Sequence, residues 1–444
     1  MSISSQRRQE ILDALRRGTV PQQSLDAFAV GLAPLERPLD KELAVVQRGG
    51  SGFKAVRGEY GSGKTFFARW LEERARKLNF ATAEVQVSES ETPLHRLETV
   101  YRRMVERLST ADVRSGALRS VIDAWFFALE QDVLAEGRVT ERDQAALLAA
   151  TSALMERRLA AISQQAPAFA AVLRAYREAL AAGDGALAEG LIAWLGGQPH
   201  VAADVKRAAS VKGDLDHSAA LGFLRGLLTI LKDSGYAGLV LVLDEVETLQ
   251  RVRSDVRERG LNVLRQLIDE VDGARFPGLY LVMTGTPGFF DGPQGIQRLP
   301  PLAQRLHVEF DPNGRFDNPR AAQIRLRGFS FESLVEVGVR IRDLFASGSS
   351  REAAVRQFAD DRFVADLARD VAGQLGGRVG VAPRIFLKKL VGEVLDRIDQ
   401  YPDFDPRQHF QLALGEKELS LQERRARAAQ DPDDLELELP ERPA

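Results

Sequence analysis

The chain of 444 residues contains no cysteine. That excludes disulfide cross-links, thiol nucleophiles and cysteine-built zinc sites. Histidine is nearly as scarce: His95, His200, His217, His307 and His409 are scattered, with neither H-x-x-x-H nor H-E-x-x-H spacing. They read as surface or packing residues rather than metal ligands. No apolar run approaches the ~20 residues of a membrane helix, and Met1–Gln9 is too polar for a secretory leader. A cytoplasmic protein without a membrane partner is expected. Nor is there an excess of one charge. The 60 Lys and Arg against 63 Asp and Glu leave a net −3, so contacts with nucleic acid would have to come from local basic patches. The length is sufficient for two or three domains around a large core.

Against this plain background one segment is highly specific. Gly58-Glu59-Tyr60-Gly61-Ser62-Gly63-Lys64-Thr65 is a complete G-x-x-x-x-G-K-T loop. It follows a short apolar run (Phe53 to Val56) and leads into a helix-compatible segment from Phe66 to Leu78, the strand–loop–helix context this motif requires. Glycines 58, 61 and 63 let backbone N–H groups turn toward a phosphate chain. Lys64 reaches the β- and γ-phosphates, Thr65 holds Mg²⁺, and the helix N-terminus adds its positive end. Gly58 through Phe66 is therefore the candidate ATP cradle. The alternative, a glycine turn that binds nothing, loses ground once a matching second half is found.

That half is Gly238-Leu239-Val240-Leu241-Val242-Leu243-Asp244-Glu245. The five consecutive apolar residues read as a central parallel strand, buried on both faces. Asp244 at its end is placed to hold Mg²⁺ as a Walker B aspartate does, and Glu245 to polarise the water that attacks the γ-phosphate. Glu247 follows, so an acidic helix cap is the plainer alternative. A further buried strand, Leu279 to Thr284, ends in Thr284-Gly285-Thr286-Pro287. Thr286 or Thr284 would meet the γ-phosphate if this strand lay between the other two. Val308 to Phe310 reads as a short fifth strand.

The remainder is mostly helical. Gln6 to Arg17 puts Ile11, Leu12 and Leu15 on one face and Arg7, Arg8, Arg16 and Arg17 elsewhere. Those arginines could meet nucleic acid or a neighbouring subunit, or simply face solvent. A second helix is expected from Lys41 to Arg48. From about 92 to 231 the pattern is almost wholly helical and too long for a compact nucleotide fold, so it reads as an insertion, with contact and purely structural roles both open. Arg305 and, after it, Arg298 are candidates to reach a neighbouring subunit's site and stabilise the transferring phosphoryl group. Surface ion pairing is the alternative for both. Helices over 331–346, 351–358, 361–374 and 383–398 form a lid, and Ala382-Pro383-Arg384 opens the last with Pro at its favoured first position. Arg384 can then point back at the phosphates of its own chain. The expected units are 1–45 (basic helix and linker), 46–310 (ATPase core), 311–415 (lid) and 416–444 (charged tail). Within the tail, Asp431 to Glu441 looks disordered or partner-bound.

In this order the pieces resemble the AAA+ class of P-loop ATPases. That resemblance implies an α/β fold with a parallel five-stranded sheet, a large helical insertion and a C-terminal helical lid. The Gly285-Thr286-Pro287 turn is similar to that of transposition and replication-initiator ATPases, which work on DNA. The chain also resembles the BrxD-like ATP-binding proteins of bacteriophage-exclusion (BREX) systems. That likeness is carried by Leu15-Arg16-Arg17-Gly18-Thr19-Val20-Pro21, by Val56 to Phe67, and by Gly235 to Leu239 running into Asp244-Glu245-Val246-Glu247. It implies an anti-phage role, ATP hydrolysis with Mg²⁺, and work on DNA beside a helicase-like partner or other BREX proteins, with a homo-oligomer possible. The rival readings are a nucleotide-dependent switch with negligible turnover, a replication-initiator-like DNA-binding ATPase and, less well supported, a small-molecule kinase.

Overall fold

Two segments, Leu239–Asp244 and Leu279–Gly285, are buried along their whole length, which only a strand covered on both faces permits. They form the centre of one sheet. The computed structural model describes residues 3–428, apart from 138, 141, 378, 379 and 381. Its five strands are β1 (Gly52–Arg57), β2 (Ala81–Gln86), β3 (Leu239–Asp244), β4 (Leu279–Gly285) and β5 (Gln323–Arg325). They lie in the order β2-β3-β4-β1-β5, and every pair is parallel. β4 thus stands between the two motif-bearing strands, with Val56 opposite Thr284 and Leu243 opposite Met283. This is the α/β fold of an AAA+ ATPase, as the sequence implied.

Alternation along the strands divides the interior in two. Leu239, Leu241, Leu243, Leu279, Leu281 and Met283 face one core, and Val240, Val242, Tyr280 and Val282 face the other. The second core is covered by α1 (Ser5–Arg16), α2 (Ala33–Gln47), α3 (Lys64–Lys77) and the lid. The first is covered largely by the insertion, which comprises α4 (Leu97–Arg107), α5 (Leu118–Ala135), α6 (Gln144–Gln165), α7 (Pro167–Ala181), α8 (Gly185–Leu195), α9 (Ala203–Ala208) and α10 (His217–Asp233). Phe223 is its hub, with ring centroids 5.2 Å from Phe169, 5.7 Å from Trp194 and 5.8 Å from Tyr101. Between α7 and α8 the chain breaks at Asp184, an N-cap whose side chain accepts from Leu187 N–H.

After β3 come α11 (Ser254–Asp272), α12 (Pro287–Asp291) and α13 (Pro300–Leu306). The lid follows as α14 (Phe331–Ala346), α15 (Glu352–Phe358), α16 (Asp361–Gln374), α17 (Pro383–Lys389), a π-helical run Leu390–Leu395 and α18 (Asp396–Gln400). A short α19 (Pro406–His409) and α20 (Leu421–Ala428) complete the described chain.

Some expectations need correction. Val308 to Phe310 is not a strand: β1's free edge is taken by Gln323–Arg325, so the core extends beyond residue 310. Phe310 instead packs against the guanidinium groups of Arg57 and Arg325, at 5.1 and 5.0 Å from its ring centroid. The N-terminal helix is part of the lid's packing rather than a separate unit. Arg16 makes a bidentate pair with Asp396, Nε and Nη2 each at 2.7 Å, while Arg7 and Arg17 stay exposed. Within the charged tail, residues 416–428 fold as a turn and α20; Asp431 to Glu441 lies outside the described residues. The second helix is also longer than the sequence suggested, since it already begins at Ala33 with Pro34 in its first turn.

One buried charge ties the sheet to its N-terminal cover. Lys54 of β1 is 1% exposed, and its Nζ donates to Glu42 of α2 at 2.8 Å and to the Ala321 carbonyl at 2.7 Å. The Tyr280 hydroxyl of β4 donates to the same Glu42 carboxylate.

Candidate nucleotide site

The phosphate loop is shaped by glycines where only glycine fits. Gly61 and Gly63 have φ of 82° and 88°, in the left-handed region that L side chains avoid. A Cβ on Gly58 would stand 2.3 Å from Ser62 Oγ. Lys64 is the first residue of α3, so the helix's unpaired N–H groups face the loop. Its ammonium donates to the Gly58 carbonyl at 2.9 Å and the Glu59 carbonyl at 3.3 Å, and lies 5.0 Å from the Tyr60 ring. Ser62 Oγ is buried without a hydrogen-bond partner among the described residues. A cradle with an orphaned hydroxyl, a cation folded onto its own loop and a helix N-terminus fits a phosphate chain.

The ends of the parallel strands bring the second half to it. Thr65 Oγ1 donates to Asp244 Oδ2 at 3.1 Å, and the Thr284 hydroxyl donates to the other oxygen, Oδ1. The Glu245 N–H reaches Thr284 Oγ1 at 3.2 Å. Asp244 is 3% exposed, and a hard-oxygen pair made of its carboxylate and the Thr65 hydroxyl suits Mg²⁺. Glu245 sits at φ 61°, a left-handed position that costs a non-glycine residue about 1–3 kcal/mol. Gln86, the last residue of β2, donates to its carboxylate at 3.0 Å. Glu247 is buried, 3.9 Å from Lys64 Nζ, and neither carboxylate oxygen has a hydrogen-bond partner among the described residues. Burial pushes its carboxyl above the ordinary range, with Lys64 pulling the other way.

Loop and carboxylates open into a cleft of about 570 Å³. Beyond the phosphate end its walls are apolar, with Val20, Pro21, Phe28, Phe66, Phe329 and Leu387 among them. Phe28 and Phe66 meet edge to face at 5.3 Å, joining the N-terminal segment to α3. An apolar pocket continuous with a phosphate cradle has room for a purine beside a triphosphate.

A family model for the BREX system ATP-binding protein BrxC/D matches residues 3–413. The chain belongs to this family. No curated protein matches it. Among solved structures, a Drosophila origin recognition complex bound to DNA aligns over 89% of this chain and 68% of that one, at 14% identity and a TM-score of 0.29. At that score the likeness adds nothing to the fold described above. ATP binding is the property that the family's description states. No helix among the described residues is long and apolar enough to cross a membrane.

The remaining expected residues are placed unevenly. Arg384, at the start of α17, lines the same cleft as Gly61 to Phe66. Its Nη1 lies 3.1 Å from where a Gly18 Cβ would be. Its other donors are engaged by the C-terminal segment, Nε and Nη2 by the Glu423 carboxylate and Nη2 also by the Glu418 carbonyl. Thr284, rather than Thr286, touches Asp244; the Thr286 backbone carbonyl begins α12 by accepting from Phe289 N–H at 3.0 Å. Arg305 is ion-paired with Asp269 of its own chain, and Arg298 donates to Ser254 Oγ at 3.3 Å. Sequence reasoning missed Gln86, Arg251 (another cleft residue, 3.5 Å from the Tyr60 hydroxyl) and Glu423, and gave Glu247 no role. Only Glu247 carried a local signal, its position just beyond Asp244-Glu245.

Proposed function

We propose that this BrxC/D-family chain hydrolyses ATP and uses the energy in DNA-associated assembly or remodelling within BREX defence. The observation that carries the reading is the chain of contacts Thr65–Asp244–Thr284, which joins the start of α3 to the ends of the parallel strands β3 and β4, with Glu245 next to it. Lys64 leaves the Gly58 and Glu59 carbonyls to neutralise the β- and γ-phosphates. Mg²⁺, held by Thr65 and Asp244, would supply further charge neutralisation at the phosphate oxygens. Glu245 accepts the proton of the attacking water, and Thr284 or Thr286 reads the γ-phosphate. Arg384 closes the lid from its own chain. Arg305, once released from Asp269, would serve a neighbouring subunit, which makes a homo-oligomer part of the reading.

DNA is the expected partner, directly or through a helicase-like BREX protein, and the exposed Arg7 and Arg17 are the first candidates for phosphate contacts. Such binding weakens steeply with salt. The test is steady-state ATP hydrolysis with and without DNA, for the wild type and Glu245→Gln. We expect DNA-stimulated turnover in the first, and ATP binding with a hydrolysis rate lower by about 10²–10⁴-fold in the second. Wild-type turnover in Glu245→Gln would remove that carboxylate from the mechanism.

A second reading is favoured by Gln86, which holds the Glu245 carboxylate at 3.0 Å. It is a nucleotide-dependent switch that binds ATP and turns over negligibly. A rate near zero whether or not DNA is present would select it.

A further inference from the structure

The matched region ends at residue 413, and the turn Glu416–Glu418 with α20 comes after it. This short addition does not lie on the surface at random. Ser420, Leu421 and Glu423 line the nucleotide cleft together with the phosphate loop. The Glu423 side chain is 3% exposed, and its carboxylate accepts from Arg384 Nε at 3.0 Å and from Nη2. Nη2 also donates to the Glu418 carbonyl at 2.7 Å. A guanidinium binds an anion bidentately along one edge, and the Nε/Nη2 edge of Arg384 is taken by an anion of the chain itself, which leaves Nη1 alone for any other.

The segment is anchored away from the cleft as well. Lys389 of α17 binds the Glu418 carboxylate at 2.9 Å. Arg427 Nη1 donates to the Leu414 carbonyl at 3.0 Å and to Glu416 at 3.1 Å. Leu419 and Ala426 are buried. Within α20, Ser420 and Glu423 cap each other's backbone N–H groups, a capping box that fixes where the carboxylate points. The carboxylate is thus aimed by local structure and seated on a lid arginine that shares the cleft with the phosphate loop.

We propose that residues 416–428 are a built-in strap that competes with ATP for Arg384 and so sets the apparent affinity of the nucleotide site. The proposal rests on the ATP-binding reading above. While the strap is docked, Arg384 serves Glu423; phosphate can take the arginine only from molecules whose strap has let go. Apparent affinity is then the intrinsic affinity reduced by the released fraction. Whatever pulls the segment away, such as a partner protein seated on α20, would switch the site toward ATP.

The test is equilibrium ATP binding by the full-length chain in Mg²⁺. The variants are Glu423→Gln, Arg427→Ala, Arg384→Ala and the double Arg384→Ala/Glu423→Gln, each with a thermal-unfolding control. Glu423→Gln should bind ATP about tenfold more tightly, the factor that corresponds to ~1.4 kcal/mol. Arg427→Ala loosens the strap without touching the cleft and should move affinity the same way by less. It also keeps the test alive should Glu423→Gln fold poorly. In the Arg384→Ala background the Glu423 change should have no effect. Hydrogen exchange in residues 416–428 should rise on adding ATP to the wild type. Unchanged or weaker ATP binding in both strap variants would overturn the proposal, as would an equal gain without Arg384. Absence of ATP binding in every protein, wild type included, would bring down the nucleotide reading and the strap with it.

Discussion

The two faces of the sheet each bury a hydrophobic core but stand in different relation to the cleft. The face covered by α1, α2, α3 and the lid also builds the nucleotide cleft, through Phe28, Leu326, Val337 and Arg384. The face covered by the insertion α4–α10 supplies a large aromatic core around Phe223, yet among the described residues none of the insertion lines the cleft. Packing alone does not mark a functional region; what matters is which elements reach the ends of the strands where Asp244 and the phosphate loop meet.

That division can be attacked from both sides. The largest effect is expected at the cleft. Lys64→Ala removes the charge that stabilises the phosphates and should lower hydrolysis by about 10²–10³-fold, while far-UV circular dichroism, dominated by the helices, stays unchanged. Loss of helicity would show that Lys64 supports the fold rather than the chemistry.

On the opposite face, Phe223→Ala should cost about 3–5 kcal/mol of stability by opening a cavity among Tyr101, Phe169 and Trp194. ATP affinity measured below the unfolding transition should hardly move. A parallel fall in affinity would mean that the two faces are energetically coupled and the comparison wrong.

The smallest effect probes the seam between helix and sheet. Glu72 of α3 is fully buried beside Glu84 of β2, and desolvation with that neighbouring carboxylate pushes its pKa up to about 8. The folded state therefore holds the proton more tightly than the unfolded chain. This stabilisation is complete below about pH 4.5, the ordinary carboxyl value, and is lost as pH rises through about 8. Glu72→Gln should raise the apparent melting temperature by a few degrees at pH 8 and leave it unchanged at pH 4. Equal shifts at both pH values would argue against the buried proton.

The candidate site was more legible in the sequence than the tertiary contacts around it. Gly58–Thr65 and Asp244–Glu245 are local patterns whose chemistry fixes their spacing, and β3 and β4 announce themselves as unbroken apolar runs. The lid helices were visible for a similar reason, since period and capping are local: Ser330 caps α14 and Asp360 caps α16. β5 was misplaced because three residues carry no alternation to read, and only the open edge of β1 selects Gln323–Arg325 over Val308–Phe310. Gln86, Arg251 and Glu423 act through tertiary partners far along the chain, for which no local pattern exists. Arg16 illustrates the same limit: its charge was evident, its commitment to Asp396 was not.

The buried pair Lys54–Glu42 has a consequence for assembly of the sheet. If β1 paired with β4 one residue out of step, every β1 side chain would turn to the opposite face. Lys54 would then leave Glu42 and sit unpaired in apolar surroundings, at a cost of several kcal/mol. The same slip would carry the phosphate loop about 3.3 Å along its strand direction relative to Asp244. An ammonium that touches no nucleotide therefore acts as a proofreader of alignment, penalising those misfolded sheets in which cradle and carboxylate would no longer meet.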